Sequence, residues 1–190
     1  MEPQYYRTFI GIPVRAGSEV LGVRSQLMEA LADERISWVS PLNFHVTLRF
    51  LGDTDVSAIP QITEALQSEV EIPFESSLQL TGPGSFGPKK KPRVIWLGFH
   101  QDEPFHSLKR GTDRALVKCG WPLSDQPFRA HLTLGRVRSL NDPARYYEII
   151  EQMKGTFTGR AELNRMVFYR SELGESGPTY TALKEMKFLS

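Results

Sequence analysis

Two short segments of the chain share a pattern that suits an extended strand. One reads FHVTLRF from Phe44 and the other reads AHLTLGR from Ala130. In a strand, successive side chains point to opposite faces, so the histidine and threonine of each segment project together while the apolar residues pack behind them. Each segment therefore offers one imidazole and one hydroxyl side by side.

The His-x-Thr pattern indicates a function because it occurs twice. A single His-x-Thr is more often a partly solvated histidine beside a β-forming residue. Here His45 and His131 are two of only four histidines, and they hold matching positions 86 residues apart (131 − 45). Because the ordinary pKa of histidine, about 6.5, lies near neutrality, two imidazoles on one cleft can serve as general base and general acid. The sequence therefore predicts a two-histidine active site.

Composition limits the class of protein. The chain has 190 residues, enough for one sizeable core, and 23 basic against 22 acidic residues give a net charge of +1. Any contact with nucleic acid must therefore be local. The single cysteine, Cys119, excludes an internal disulfide, and the start of the chain has no apolar signal-peptide core. We expect a cytoplasmic protein without a membrane contact, and a monomer because no heptad or long apolar patch is evident.

Strand and helix patterns follow the same order twice. The first set comprises strands at 7–14, 36–40 and 44–51 and helices at 18–33 and 56–70, with Pro60 in a first turn. The second set comprises strands at 74–80 and 93–99, the second motif, and helices at 103–118 and from Asp142-Pro143 onward. Two closing strands are predicted at 162–171 and 180–188. This order predicts a pseudo-duplicated α+β fold.

The predicted architecture is one bilobal domain over residues 1–190. Two antiparallel sheets form a central cleft, each lobe contributes one His-x-Thr motif, and the helices cover the outer faces. No linker or low-complexity tract separates the halves.

At this level of detail the chain resembles the 2H phosphoesterase superfamily, and within it the RNA 2′,3′-cyclic phosphodiesterases, also called 2′-5′ RNA ligases. The resemblance rests on HVTLRFLG from His45 and HLTLGR from His131. Weaker matches are GPGSFG from Gly82 and YRSEL from Tyr169 with Tyr180. It implies hydrolysis, without metal or cofactor, of a 2′,3′-cyclic phosphate at an RNA 3′ end to a 2′-phosphate.

The resemblance also implies roles for the motif residues. His45 would be the proton donor to the leaving 3′-oxygen and His131 the proton acceptor from water, although either neutral ring suits either role. Thr47 and Thr133 would bind the non-bridging phosphate oxygens. Three arginines compete as the phosphate cation. Strict alternation favours Arg129 and Arg49, whereas the family pattern favours Arg136, which a bulge at Gly135 would turn into the cleft.

The most basic stretch, residues 81–93, is predicted to be a loop. Phe86, Lys89 and Lys90 are candidate RNA contacts there, and a solvated surface connection is an equally good interpretation. His100 and His106 fall outside the repeated motifs and are predicted to lie on the surface. Cys119, at a predicted helix end, is expected to have no catalytic role.

Other chemistries lack their signatures. No His-Glu-x-x-His, cysteine cluster, P-loop or dinucleotide fingerprint occurs. Two alternatives remain open: a cyclic phosphodiesterase that acts on a small nucleotide or a 2′-5′ oligonucleotide, and a protein that binds or ligates RNA ends. The family was named for 2′-5′ joining, which is the same chemistry in reverse with a 5′-hydroxyl in place of water.

Overall fold

The computed structural model describes residues 4–71, 77–155, 157, 159–175 and 177–188. The α-helices within these residues are α1 (Ser18–Ala30), α2 (Ile59–Glu69), α3 (Glu103–Lys118) and α4 (Pro143–Lys154). The strands are β1 (Tyr5–Pro13), β2 (Arg15–Ala16), β3 (Arg35–Trp38), β4 (His45–Asp55), β5 (Ser77–Phe86), β6 (Val94–Phe99), β7 (Leu132–Ser139), β8 (Gly159–Glu162), β9 (Arg165–Gly174) and β10 (Gly177–Lys187). Single 3-10 turns at Pro41–Asn43 and Val56–Ala58 precede β4 and α2.

Helix boundaries follow local signals. The Asp142 side chain accepts hydrogen bonds from the backbone N–H groups of Ala144 and Arg145, and Pro143 occupies the first turn of α4. Gly120, at φ +89°, ends the segment after α3. α1 ends at Ala30, earlier than the predicted Asp33. Pro60 lies in the first turn of α2, as predicted.

All strands named above belong to two antiparallel sheets. The first has the order β10-β9-β1-β4, and the second has the order β2-β8-β5-β6-β7-β3. β4 carries the first motif and β7 continues the second, and these two strands make direct contacts. The α+β class and the two-sheet architecture are as predicted.

The sheets do not follow the order of the chain. β3, which precedes the first motif, pairs with β7 in the second sheet. β9, near the end of the chain, pairs with β1, near its start. Each sheet therefore contains strands from both halves of the sequence. Local periodicity could not indicate this exchange, because it carries no information on partner choice.

The main core lies between the helices and one face of the sheets. It includes Val20 and Leu27 of α1, Phe105 of α3, Val46 of β4 and Leu132 of β7. Phe9, Trp96 and Val167 are also buried but stand apart from this cluster. They lie on the opposite face, together with His45 or His131. We call this face of each sheet the cleft face.

Two predicted segments need correction. Residues 81–86 were expected in a loop but complete β5, where Gly84 pairs with Trp96 and Phe86 with Val94. The Gly and Pro content had suggested a turn, but only residues 87–93 lack strand structure. The predicted strand at 162–171 divides into β8 and β9 at residues 163–164.

Part of one prediction cannot be compared with the structure. Residues 74–76 of the predicted strand 74–80 lie outside the described residues. Among the described helices, none has the length and apolar character needed to cross a membrane.

Candidate active site

His45 and His131 are held in the same way. His45 Nδ1 lies 2.7 Å from the backbone oxygen of Asn43, and His131 Nδ1 lies 2.8 Å from that of Arg129. A carbonyl oxygen only accepts hydrogen bonds, so Nδ1 carries the proton in both rings. Each neutral ring therefore presents an unprotonated Nε2, the atom that can take a proton from water or pass one to a leaving oxygen.

Burial and neighbouring charge keep both rings neutral. Desolvation lowers the pKa of His45 from 6.5 to about 4, more than the hydrogen bond from its ring to Asn43 raises it. Desolvation likewise lowers the pKa of His131, more than its hydrogen bond to the Arg129 oxygen raises it. Arg136 lowers the pKa of both rings, and His131 itself lowers that of His45. The two imidazoles are thus close enough to interact, with one guanidinium near both.

A bulge brings Arg136 to this position. Thr133 pairs with Trp96 and Gly135 with Ile95, so β7 has one more residue than β6 at Leu134. The extra residue reverses the alternation, which places Arg136 on the cleft face with His131 and Thr133. A Cβ at Gly135 would lie 2.9 Å from Ile36 Cγ2, so the glycine also allows β3 to pack closely. The sequence predicted this bulge from Gly135.

The two rival arginines are placed differently. Arg129 also lowers the pKa of His131, but its guanidinium carbon lies 4.4 Å from the centre of the Trp96 ring. Arg49 donates a hydrogen bond to the backbone oxygen of Pro122 and lies 3.8 Å from Asp113 of α3. Arg49 is therefore committed to an internal contact, whereas Arg129 stays near the site.

Thr47 and Thr133 stand one strand position beyond the two histidines, on the same face. Both are half-buried. Within the part of the chain that the structure describes, neither hydroxyl has a hydrogen-bond partner. Because they lack internal partners among the described residues, the two hydroxyls are available to a ligand between the motifs. Gly11 is the strand partner of Thr47, and a Cβ there would lie 3.0 Å from the Val46 oxygen.

Aromatic rings surround both histidines. The His45 ring lies 5.0 Å from Phe9 and 5.2 Å, edge-on, from Tyr180. The His131 ring lies 4.8 Å, also edge-on, from Phe86. Phe86 stacks on Trp96 at 4.8 Å. These contacts hold each ring in one orientation.

The sequence missed most of these aromatic residues. Phe86 was predicted as an RNA contact in a loop, but it lies in β5 and packs beside His131. Its contact with RNA stays a prediction. Phe9 shares the cleft face because it pairs with Phe50, two positions past the bulge at Leu48. Phe9, Gly11 and Pro13 occupy alternating positions of β1, and this alternation was the one local signal that Phe9 lies on the cleft face.

The remaining candidates lie farther from the motifs. Lys89 and Lys90 are exposed in the turn between β5 and β6. His100 is exposed, and His106 contacts Asp102 at 3.3 Å and the Phe128 ring. Burial raises the pKa of the Cys119 thiol, which lies 3.7 Å from the Gln61 oxygen. Among the described residues, no three His, Cys, Asp or Glu side chains cluster as metal ligands do.

Comparison with known proteins identifies the family. Residues 14–175 match the 2′-5′ RNA ligase superfamily. The chain belongs to this superfamily. The match includes both His-x-Thr segments and every strand between them, so the two motifs lie within the part of the chain that defines a 2′-5′ RNA ligase superfamily member.

Two curated relatives that align with most of the chain carry the same name. An RNA 2′,3′-cyclic phosphodiesterase of Methanothermobacter thermautotrophicus is 30% identical over 180 residues, which cover 94% of this chain and 96% of that protein. A protein of the same name from Thermotoga maritima is 33% identical over 184 residues, covering 96% and 95%. Both alignments extend over nearly the whole of each chain.

Solved structures agree with the superfamily fold. E. coli LigT, crystallised as a complex with 3′-AMP, superposes with a TM-score of 0.69 at 20% identity, covering 98% of this chain and all of that one. The protein TT0787 of Thermus thermophilus gives a TM-score of 0.67 at 24% identity, covering 96% and 97%. These two solved structures therefore share the fold of this chain.

Proposed function

We propose that this protein hydrolyses the 2′,3′-cyclic phosphate at an RNA 3′ end and leaves a 2′-phosphate and a free 3′-hydroxyl. The observation that carries the proposal is the pair of oriented imidazoles, each with a free Nε2 and both close to Arg136. The names of the curated relatives support the same substrate. A site of this kind provides both proton transfers and a cation for the phosphate.

The two histidines take opposite roles. His131 Nε2 accepts a proton from the attacking water, and His45 donates a proton to the leaving 3′-oxygen on the far side of phosphorus. Water, phosphorus and the 3′-oxygen lie in line during the displacement. Thr47 and Thr133 donate hydrogen bonds to the non-bridging oxygens, one from each motif, and Arg136 balances the charge that grows on them.

The substrate supplies part of the protonation. In the free protein, burial keeps both histidines neutral, so neither holds a proton to donate. A phosphodiester anion between the rings raises the pKa of both because it favours their charged forms. His45 then binds a proton in the complex. Binding of the substrate therefore leads to protonation of His45, the general acid.

Ligation can use the same site. A 5′-hydroxyl in the place of water attacks phosphorus and displaces the 3′-oxygen, which joins the RNA ends through a 2′-5′ linkage. His131 accepts the proton of the 5′-hydroxyl and His45 donates one to the 3′-oxygen, as in hydrolysis, and the reverse of this step is cleavage of the linkage. A groove of about 600 Å³ beside Trp96 and Arg129 provides space on the His131 side of the site. We propose ligation as a secondary activity that high RNA concentration would favour.

The decisive experiment uses EDTA-treated protein and a short RNA ending in a 2′,3′-cyclic phosphate, with products resolved as 2′- and 3′-phosphates. We expect 2′-phosphate to accumulate and to disappear in His45→Ala and in His131→Ala, while binding of the RNA persists. His106→Ala, which removes a histidine that contacts Asp102 and Phe128, is the matched control. Turnover that needs added metal, or that survives both substitutions, would reject the mechanism.

Related substrates are tested in the same assay. If the exposed Lys89 and Lys90 and the neighbouring Phe86 make no contact with the RNA, a small nucleotide with a cyclic phosphate should be hydrolysed as fast as RNA. Binding through several phosphates would instead weaken steeply with salt. Binding without turnover would indicate a protein that only holds RNA ends.

A further inference from the structure

A cavity of about 260 Å³ opens directly beside His45, on the side away from β7. Tyr169 and Tyr180 form part of its wall, and Arg165 and Glu185 lie at one end. Its volume falls just below the range for drug-sized ligands, which begins at about 300 Å³. It therefore suits one flat heterocycle better than a dinucleotide.

Strand register explains how these side chains meet. Tyr169 pairs with Phe9 across β9 and β1, and Glu185 of β10 pairs with Val167 of β9. Directly paired residues point to the same face of an antiparallel sheet, so these side chains all lie on the cleft face with His45. The cavity is thus continuous with the site that would hold the phosphate.

The walls suit an aromatic ligand. Tyr180 lies edge-on to His45 at 5.2 Å, and its ring centre is 5.9 Å from that of Tyr169. Arg136 and Arg7 both act on the Tyr180 phenol, so positive charge surrounds this end of the cleft. A nucleobase that stacks on a tyrosine ring gains roughly 1–3 kcal/mol, whatever its identity. Stacking gives affinity but does not distinguish the bases.

The polar end provides the means to distinguish them. Arg165 Nε lies 3.4 Å from Glu185 Oε1, and both side chains are partly exposed to the cavity. Among the described residues, this Nε is a buried donor without a well-aligned hydrogen bond, while Nη1 of the same side chain donates to Asn164. The pair presents a carboxylate acceptor next to guanidinium donors and is not fully satisfied by internal contacts.

We propose that this cavity binds the base of the terminal nucleotide, the one that carries the cyclic phosphate, and that the Arg165–Glu185 pair selects guanine. The inference rests on the proposed function. Guanine alone places two adjacent donors, N1–H and N2–H, beside an acceptor, O6. The carboxylate of Glu185 accepts from both donors and Arg165 donates to O6, whereas adenine, cytosine and uracil each offer one donor at the corresponding edge.

The location of the base also bears on the histidines. The leaving 3′-oxygen belongs to the ribose of the terminal nucleotide, so a base beside His45 puts the ribose on the His45 side of phosphorus. Water then attacks from the His131 side. The cavity therefore favours His45 as the proton donor for a reason independent of the pKa of either ring.

The test is a competition between four trimer RNAs that end in a 2′,3′-cyclic phosphate and differ only in the terminal base. With all four in one reaction, the relative rates give ratios of kcat/KM directly. We expect the guanosine end to react about 10-fold faster than the others, since a bidentate contact discriminates by about 1–3 kcal/mol. Glu185→Gln should abolish this preference by slowing the guanosine end.

Matched variants separate recognition from folding. Glu172→Gln removes a carboxylate that accepts a hydrogen bond from Arg170 on the opposite face of β9, and it should leave the preference intact. Arg165→Lys keeps the charge but loses the planar donors, and it should reduce the preference. The Glu185 side chain is 46% exposed, so its substitution should leave the urea unfolding midpoint unchanged.

The outcomes distinguish this inference from the proposed function. Turnover of all four RNAs within twofold of one another, or a guanosine preference that Glu185→Gln leaves unchanged, would overturn the base assignment and leave the phosphodiesterase standing. Failure to turn over any of the four RNAs would reject the function itself, and the inference with it.

Discussion

Phe50 and Arg136 occupy the same position in the two motif strands. Each stands three residues after the motif threonine and just past a bulge, since β4 has an extra residue at Leu48 where β7 has one at Leu134. One is an exposed aromatic ring that packs against Phe9, and the other is the guanidinium near both histidines. The backbones of the two motifs are alike, but at this position only β7 carries a positively charged side chain.

Arg136→Gln should therefore reduce kcat/KM strongly. Loss of one donor aimed at the developing charge typically costs about 100-fold or more in rate. The pKa of His45 and of His131 should both rise, because the nearby positive charge that lowers them is gone. Steady-state kinetics and NMR titration of the ring protons measure the two effects.

Arg138→Gln is the matched control for this substitution. Arg138 lies in the same strand but donates to the Ser37 hydroxyl, so its loss should spare activity. If Arg136→Gln remained active and Arg129→Gln did not, Arg129 would be the phosphate cation.

Thr47→Val and Thr133→Val should each lower kcat/KM by about 10- to 100-fold with little effect on stability. The replacement keeps the branched shape that suits a strand but removes the hydroxyl donor. Kinetics on the cyclic-phosphate RNA measure the activity, and urea titration measures the free energy of unfolding. Thr179→Val, an exposed strand position, should change neither quantity. Equal activity of all three variants would exclude the hydroxyls from phosphate binding.

Stability should fall as the pH drops below neutrality. His45 has a folded-state pKa of about 4 against about 6.5 when unfolded, so between these values the unfolded chain binds more protons. The stabilisation is present above about pH 6.5 and is lost as the pH falls toward about 4. From about pH 7.5 to about pH 5.0 this group accounts for about 2 kcal/mol of the free energy of unfolding.

Urea unfolding at the two pH values measures that loss. His45→Gln should lose less stability on acidification than the unsubstituted protein, because the buried titrating group is absent. His100→Gln, at an exposed position, should retain the full loss. An identical pH dependence in all three proteins would show that His45 titrates normally.

Gly84→Ala should disturb the His131 side of the site. A Cβ at this position would lie 2.4 Å from Cζ2 of Trp96, whose buried ring contacts both Phe86 and Arg129. We expect destabilisation of about 1–3 kcal/mol from overpacking and a lower kcat, because Phe86 supports the His131 ring. Urea unfolding and kinetics provide both values.

Gly22→Ala is the opposite case for the same substitution. Nothing lies within 4 Å of a Cβ at Gly22, inside α1, so this change should stabilise by about 0.5–1 kcal/mol. If Gly84→Ala proved equally harmless, the Trp96 ring would not be confined by strand β5.

The sequence predicted the features that depend on neighbours in the chain. The bounds of α3 and the start of α4 at Asp142-Pro143 were predicted from periodicity and capping, and the bulge at Gly135 was predicted from its glycine. The equivalent bulge at Leu48 was not predicted, because Arg49 stands where β7 has Gly135 and gives no such signal. Side chains that meet through long-range pairing were missed as well. Tyr180 and Glu185 approach His45 only because β9 pairs with β1, and no local pattern indicates that partner.

The pairing of β1 with both β4 and β9 affects how the protein is made. β1 and β4 leave the ribosome before β9 and β10 are synthesised. During synthesis β1 therefore exposes a bare edge of N–H and C=O groups, the kind of edge that recruits wrong partners. A nascent chain that has reached Ser139 already contains both motifs. It still lacks β9 and β10, which complete the sheet around His45, so the surroundings of His45 form only when the β9–β10 hairpin pairs with β1.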